Sequence, residues 1–157
     1  MFKSLALSAV MLSATALPAA AGLSYAYRYP LALETDLSVE ALTESVAHNF
    51  ALFFPFDSNC VELPPIGGRC DLYAFPGLSN PVQVIDRTDN SWTFLSLPGH
   101  TEGAGRTTVF SFERATTGME LRIRAGGPYT PTAAAAIHSG AAYATWYLFA
   151  NNVSTVY

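Results

Sequence analysis

Charged side chains are scarce in this 157-residue sequence, which contains 8 Lys plus Arg and 12 Asp plus Glu. They make up 13% of the chain, against roughly 25% in an average soluble domain, whereas 50% of the residues are hydrophobic. This combination excludes an intrinsically disordered segment, which needs low hydrophobicity and high charge. The formal net charge of −4, with Lys3 as the only lysine, argues against a nucleic-acid-binding protein, which needs a basic surface.

The apolar run near the N terminus, Leu5–Leu17, is shorter than the roughly 20 residues that a membrane-spanning helix requires. It follows the positive Lys3 and precedes three small residues, Ala19–Ala21, which is the pattern of a cleaved secretory signal. We therefore expect residues 1–21 to be a signal peptide and residues 22–157 to form a single domain of a secreted or periplasmic protein. An N-terminal anchor helix is the alternative interpretation of the same run.

Cysteine is also scarce. The sequence contains two, Cys60 and Cys70. In the oxidising compartment that the signal indicates, we expect these two thiols to form a disulfide. Two thiols ten positions apart with no nearby histidine do not make a four-ligand zinc site. The sequence also lacks the nucleophile elbow of serine hydrolases, the phosphate loop, the zinc-protease helix motif and a complete dinucleotide fingerprint, so we expect no metal and no cofactor.

Hydrophobic periodicity predicts a strand, then a helix, and then a series of strands. Tyr25, Tyr27 and Tyr29 alternate within a first strand over residues 23–34. An apolar stripe at helical spacing then follows, formed by Val39, Leu42, Val46, Phe50 and Phe53. The period returns to two at residues 70–75, 82–87, 91–97, 106–113 and 119–124, which indicates an antiparallel meander. Glu40, Glu44 and His48 share another helix face, which we interpret as a solvated surface rather than a metal site.

The last segment, Ala125–Tyr157, contains no Asp, Glu, Lys or Arg. Thr130 and Pro131 suit a helix start, and the alanine-rich residues 132–150 predict one long helix that is buried on most sides against the sheet. A membrane segment is the alternative, because the length approaches that of a span and small residues recur every fourth position, at Ala136, Gly140 and Ala144.

This order of elements predicts an α+β domain in which a curved antiparallel sheet wraps around the long C-terminal helix. Such an arrangement can leave a cavity between sheet and helix, and an apolar cavity with a few polar groups is the usual site for a small molecule. The alternative is a solid core filled by the same side chains. The candidate ligand-binding residues are Trp92, Phe94, Phe110, Phe112, His138 and Trp146.

A short motif lies between two of the predicted strands, Leu97-Pro98-Gly99-His100-Thr101-Glu102. It resembles the Leu-Pro-Gly-His-Pro-Glu turn of an uncharacterised domain family related to the START and polyketide-cyclase-like (SRPBCC) superfamily, with Thr101 in place of the second proline. The resemblance covers residues 82–124, with a weaker echo at 23–26 and in the final helix. It implies a helix-grip fold, although proteins of this kind usually lack an export signal.

His100 and Glu102 are the candidate catalytic residues, because a carboxylate can orient an imidazole for proton transfer at the mouth of a cavity. The alternative is a turn in which polar side chains bond to the backbone, with Arg106 pairing with Glu102. His138, in the apolar helix, is expected to be a hydrogen-bonded core residue that can also face the cavity.

Three functions remain open from the sequence alone. The first is a secreted domain that binds a small hydrophobic or amphipathic molecule between sheet and helix. The second is an enzyme of cyclase, isomerase or hydrolase type that uses His100 and Glu102. The third is a membrane-active or self-associating protein that acts through the C-terminal helix. The sequence indicates neither the ligand nor the oligomeric state.

Overall fold

The computed structural model describes residues 22–157, so the predicted signal peptide at residues 1–21 lies outside the described part of the chain. Seven strands and four helices follow one another along it. Their bounds are β1 Leu23–Leu31, α1 Val39–His48, α2 Phe50–Phe53, β2 Asp57–Ser58, β3 Arg69–Phe75, β4 Leu78–Arg87, β5 Ser91–Ser96, β6 Thr107–Ala115, β7 Gly118–Gly127, α3 Pro131–His138 and α4 Ala141–Val156. The predicted meander is confirmed, and it gains the two-residue strand β2, which is too short to show a period.

The seven strands form one curled antiparallel sheet in the order β1-β7-β6-β5-β4-β3-β2. Strands β3 to β7 pair with their neighbours in sequence, whereas β1 closes onto β7 with Tyr25 opposite Ala125. Because side chains alternate across a strand, one face of β7 buries Met119, Leu121 and Ile123 against the helices. The predicted α+β fold, with the sheet curved around the C-terminal helix, is confirmed.

Helix α1 begins at Ser38, whose Oγ accepts a hydrogen bond from the Ala41 backbone N–H at 3.1 Å. The predicted apolar stripe continues from α1 into the short α2, where Phe50 and Phe53 are fully buried. The chain leaves the helical path at Asn49 and again at Phe54, just before Pro55. The residue before a proline is pushed towards extended conformations, which explains this second end.

The C-terminal segment forms two helices, so the prediction of one long helix over residues 132–150 is wrong. Helix α3 starts at Thr130, whose Oγ1 accepts from the Ala133 N–H, with Pro131 in its first turn. The helix stops at Ser139, and Gly140 then takes a left-handed φ of 80° before α4 begins. Glycine reaches that conformation without the steric penalty of a Cβ atom, which lets the chain change direction.

Helix α4 buries one face only, so the expectation of burial on most sides is also wrong. The buried face carries Ala142, Phe149, Ala150 and Val153. The large side chains of Tyr143, Tyr147, Leu148 and Val156 each have about half of their surface exposed. Within residues 22–157, no helix has the length and apolarity needed to cross a membrane.

An aromatic core joins the sheet to the helices. Trp92 of β5 stacks on Phe110 of β6 with ring centroids 5.4 Å apart, and Phe149 of α4 contacts both rings. Phe54, just after α2, contacts Phe94 and Phe110 of the sheet. Sheet, α2 and α4 therefore share a single packed centre.

The predicted disulfide between Cys60 and Cys70 is present, with the two Cα atoms 5.7 Å apart. Cys70 is buried in β3, whereas Cys60 lies in the connection after β2. The bond ties that connection to β3 of the sheet.

Candidate functional site

A cavity of about 450 Å³ lies between the sheet and the helices α3 and α4. Its apolar wall comes from the sheet, the segment after α2 and the two C-terminal helices. The main apolar lining residues are Phe54, Phe56, Leu72, Val82, Phe94, Phe110, Ala142, Trp146 and Leu148. The polar lining residues are Tyr25, Asn80, Ser96, His100, Thr101, Glu102, Arg106, Thr108, Thr132 and Thr145. A volume in this range is typical of pockets for small organic molecules.

Three of the six predicted ligand-binding residues line this cavity: Phe94, Phe110 and Trp146. Trp92 and Phe112 are fully buried in the aromatic core and are not part of the cavity wall. They share the inner face of the sheet with Phe94 and Phe110, but Phe149 covers them where α4 packs directly on the sheet.

His138 does not line the cavity. It is the last residue of α3 and is exposed, so the expectation of a core histidine is wrong. Only Ala133 and Ala134 of this helix are buried, because α3 is short and packs against the rest of the domain through a narrow face.

The turn between β5 and β6 carries the polar part of the cavity wall. Asn80 Oδ1, from the neighbouring β4, accepts hydrogen bonds from the Thr101 N–H at 2.9 Å and from its hydroxyl at 2.7 Å. Ser96 Oγ donates to the Gly103 carbonyl at 2.7 Å. Gly103 has a φ of 90°, and a Cβ there would lie 2.8 Å from Thr130 Cγ2, so glycine is required for the close approach of α3.

His100 faces the cavity as a neutral imidazole. Its Nδ1 accepts a hydrogen bond from the Glu102 backbone N–H at 3.1 Å, which places the ring proton on Nε2. Burial, and next the positive charge of Arg106, lower the pKa of His100 below its ordinary value. Of the two alternatives for this turn, the bond between a polar side chain and the backbone is therefore the one observed at His100.

Glu102 and Arg106 form a loose pair on the cavity wall, with Arg106 Nε 3.9 Å from Glu102 Oε2. The Arg106 side chain is only 5% exposed, and it is held by the carbonyls of Pro128, at 2.6 Å, and Leu23, at 3.1 Å. Burial raises the pKa of Glu102 above its ordinary value, although Arg106 acts in the opposite direction. The predicted Glu102–Arg106 pair is thus observed, without a direct hydrogen bond.

Tyr25 is a cavity residue that the sequence reasoning assigned only to a strand. Its hydroxyl accepts a hydrogen bond from Trp146 Nε1 at 2.8 Å, which links β1 to α4. Burial raises the pKa of Tyr25 to about 12, so the hydroxyl stays protonated at neutral pH. The tyrosine alternation indicated the strand, but the pairing of β1 with β7 was needed to bring it to the cavity.

A second, more open depression of about 540 Å³ lies beside α1 and is lined by Glu44, His48, Glu62 and Arg87 among others. His48 Nδ1 is 3.3 Å from Glu62 Oε1, and both side chains are mostly exposed. Within the described residues, no group of three or more His, Cys, Asp or Glu side chains could hold a metal ion. The interpretation of this helix face as a solvated surface agrees with that arrangement.

The curled sheet, the C-terminal helix and the cavity between them define a helix-grip domain. No family model and no curated protein sequence matches the chain. Among solved structures, protein MLL2253 from Mesorhizobium loti is similar with a TM-score of 0.62 and 15% identity, covering 85% of this chain and 95% of that chain.

Two further solved structures show the same similarity. The Aha1 dimer from Colwellia psychrerythraea has a TM-score of 0.59 and 12% identity, and the match covers 80% of this chain and 91% of that chain. Ara h 8.0201 has a TM-score of 0.58 and 8% identity over 86% of this chain and 99% of that chain. At these identities the similarity shows the fold.

Proposed function

We propose that this protein binds a small hydrophobic or amphipathic molecule in the cavity between the sheet and the helices α3 and α4. The observation that carries the proposal is the cavity itself, about 450 Å³ with aromatic and aliphatic walls and one polar region. Apolar walls favour the transfer of a hydrocarbon group out of water, whereas polar groups fix its orientation. The similarity to helix-grip structures supports a ligand-binding domain of this type.

We further propose that the chain is related to the Leu-Pro-Gly-His-x-Glu family and acts outside the cytoplasm. Residues 97–102 form the turn that presents His100, Thr101 and Glu102 to the cavity, so the residues of the motif coincide with the polar lining. The disulfide is compatible with secretion or a periplasmic location, the compartments where such bonds persist.

Binding can be tested with N-phenyl-1-naphthylamine, an uncharged dye that fluoresces in apolar surroundings. Thr145 lies on the cavity wall and Thr155 is exposed in the last turn of the same helix. We expect saturable binding by the wild type, and Thr145→Trp should weaken it by about tenfold or more by filling the cavity, roughly 1.4 kcal/mol. Thr155→Trp, the matched control, should bind like the wild type.

The same titration contains the results that would contradict binding in this cavity. Equal dye affinity of both tryptophan variants would place the dye elsewhere on the surface. A wild-type protein that neither binds the dye nor carries a small molecule in native mass spectrometry after secretion would exclude the proposal as a whole.

Catalysis by His100 and Glu102 is a second candidate, supported by a neutral imidazole and a carboxyl group on one cavity wall. Such a pair suits proton transfer in a cyclase, isomerase or hydrolase reaction. A turnover measured with wild-type protein should fall by at least 100-fold in the His100→Ala, Glu102→Gln double variant. An unchanged rate would assign the activity to other groups.

Membrane contact or self-association through the C-terminal helix is a third candidate, supported by the exposed Tyr143, Tyr147 and Leu148 of α4. Aromatic and aliphatic side chains without nearby charge favour the membrane interface. Flotation with phosphatidylcholine vesicles should then carry the protein upward, and Tyr147→Asp, at an exposed residue outside the cavity, should abolish it. A protein that stays at the bottom of the gradient and sediments as a monomer excludes both forms of this candidate.

A further inference from the structure

Among the described residues that line the main cavity, only Glu102 and Arg106 carry a formal charge. The other titratable groups on the wall, His100 and Tyr25, are neutral, since His100 Nδ1 is a hydrogen-bond acceptor and Tyr25 is a buried phenol. The cavity therefore holds one positive and one negative charge, and its net charge is zero when both are ionised.

Hydrogen bonds hold the guanidinium of Arg106 and the backbone of Glu102 in place. Two nitrogens of Arg106, Nη1 and Nη2, donate to the carbonyls of Pro128 and Leu23. The backbone of Glu102 donates to His100 and accepts from the hydroxyl of Thr130 at 2.8 Å. The Arg106 guanidinium is therefore fixed by the fold, and the Glu102 carboxylate is carried on a fixed backbone, with its Oε2 3.9 Å from Arg106 Nε.

That distance suits a bridging atom better than a direct bond. Arg106 Nε and Glu102 Oε2 are 3.9 Å apart, beyond hydrogen-bond length, and within residues 22–157 Arg106 Nε donates no hydrogen bond. An oxygen about 2.8 Å from each atom would span the gap with good geometry. A hydroxyl oxygen in that position would accept from Arg106 and donate to Glu102, which satisfies both groups.

A charged head group would fit this pair less well. A carboxylate would place a second negative charge beside Glu102, and an ammonium would place a second positive charge beside the buried Arg106. Like charges in a poorly solvated site repel strongly, and an added ion would leave the cavity with an uncompensated charge.

We propose that the cavity selects uncharged amphiphiles whose polar head both donates and accepts hydrogen bonds, such as an alcohol, and that the head bridges Glu102 and Arg106. This inference rests on the proposed binding function and specifies the ligand class of the same cavity. The apolar tail then lies along the wall formed by residues such as Phe94, Phe110 and Trp146.

Three ligands with the same tail test the proposal: 1-octanol, octanoate and octylamine, each used to displace N-phenyl-1-naphthylamine at pH 7.5. We expect octanol to displace the dye at a concentration at least about fivefold lower than either ion. Any apolar cavity disfavours ions to some extent, so this ranking needs a variant that changes one charge.

Glu102→Gln supplies that variant, because it leaves Arg106 without its anion while keeping a side chain of similar size. We expect the affinity for octanoate relative to octanol to rise by about tenfold, and that for octylamine to fall. Glu62→Gln is the matched control, since it makes the same charge change on an exposed residue outside this cavity and should leave both ratios unchanged.

The possible results separate the two proposals. If none of the three compounds displaces the dye and the dye itself does not bind, the binding function fails. If the dye binds but octanoate is preferred by the wild type, or if Glu102→Gln leaves the octanoate-to-octanol ratio unchanged, the head-group proposal fails and the binding function stands.

Discussion

At the scale of single residues, His100 connects the turn to the cavity. Its Nδ1 accepts a hydrogen bond from the Glu102 backbone N–H. The backbone N–H of His100 donates to the Leu97 carbonyl at 3.1 Å. A ring nitrogen can accept such a bond only when it is unprotonated. The same imidazole is therefore both a structural part of the turn and a neutral group on the cavity wall.

The lowered pKa of His100 predicts a loss of stability in acid. The folded protein favours the neutral ring, so this contribution is present above the ordinary pKa near 6.5 and is lost as the pH falls from there through the lower folded value. His100→Asn keeps an acceptor near the Nδ1 position and does not titrate. Its free energy of unfolding in urea should therefore fall less than that of the wild type between pH 7.5 and pH 5.5, by about 1 kcal/mol.

His138→Asn is the control for this measurement, because His138 is exposed and lies outside the cavity. It should retain the pH dependence of the wild type. If His100→Asn also retains it, the acid sensitivity comes from other groups and the hydrogen bond at Nδ1 is not its cause.

The sequence was informative about which face a residue occupies and less informative about its depth. Alternation correctly assigned Trp92, Phe94, Phe110 and Phe112 to the inner face of the sheet, since a strand has period two. It could not show where along those strands a helix covers the sheet and where it leaves a cavity. That division depends on the path of α4, which is a tertiary property.

At the scale of elements, the break between α3 and α4 shapes the cavity wall. Both helices contribute to the lining, through Thr132 and Ala136 of α3 and through Ala142, Thr145 and Trp146 of α4. The alanines on either side of residues 137–140 have a high helix propensity, which favoured one continuous helix. Gly140 was the available signal, because glycine in a left-handed conformation commonly follows a helix C terminus.

Replacing Gly140 should test the need for this break. A Cβ at this position would have open space around it, so the cost of Gly140→Ala lies in the left-handed backbone, with φ near 80°. We expect the free energy of unfolding to fall by about 1–2 kcal/mol. Gly140→Asn should cost less, because asparagine tolerates this conformation better. Equal stability of the alanine variant and the wild type in urea titrations would show that α3 and α4 can join.

The disulfide should stabilise the connection after β2, which it joins to β3 of the sheet. Its loop of about ten residues corresponds to somewhat under 3 kcal/mol in the chain-entropy description. We expect the Cys60→Ser, Cys70→Ser double variant to lose about 2–3 kcal/mol in urea unfolding, and reduced wild-type protein to lose a similar amount. An unchanged unfolding midpoint in both would show that contacts such as the hydrogen bond from Asp71 N–H to Asn59 Oδ1 hold the connection alone.

At the scale of the whole molecule, the first and last strands of the chain pair with each other in the sheet. Strand β1 pairs with β7 along its whole length, from Leu23 opposite Gly127 to Leu31 opposite Met119. The periodicity of residues 23–34 predicted a strand but named no partner, because hydrogen bonds between distant segments leave no trace in a single sequence. This pairing brings Tyr25 to the cavity and Leu23 to Arg106, and both were missed for the same reason.

The scarcity of charged residues is most pronounced at the C-terminal end of the chain. Residues 125–157 carry no charged side chain, and they form the end of β7 together with α3 and α4. One side of these helices faces the cavity and the other exposes tyrosine and leucine. An uncharged helical wall presents no ion to be desolvated when an apolar ligand enters. Within residues 22–157, the charged side chains of the cavity wall are Glu102 and Arg106 on the facing turn.

Hydrogen exchange should show whether ligand binding acts across this cavity. Saturation with N-phenyl-1-naphthylamine should slow hydrogen exchange at amides in α3, α4 and the turn at residues 97–106, since these elements enclose the dye. We expect the exchange rates of those amides that open locally to fall by about tenfold or more. The amides of α1 beside the open depression should change little, because that surface lies outside the cavity. In Thr145→Trp the dye should produce no such protection. Equal slowing in α1 and α4 of the wild type, or protection that persists in Thr145→Trp, would place the dye outside the sheet–helix cavity.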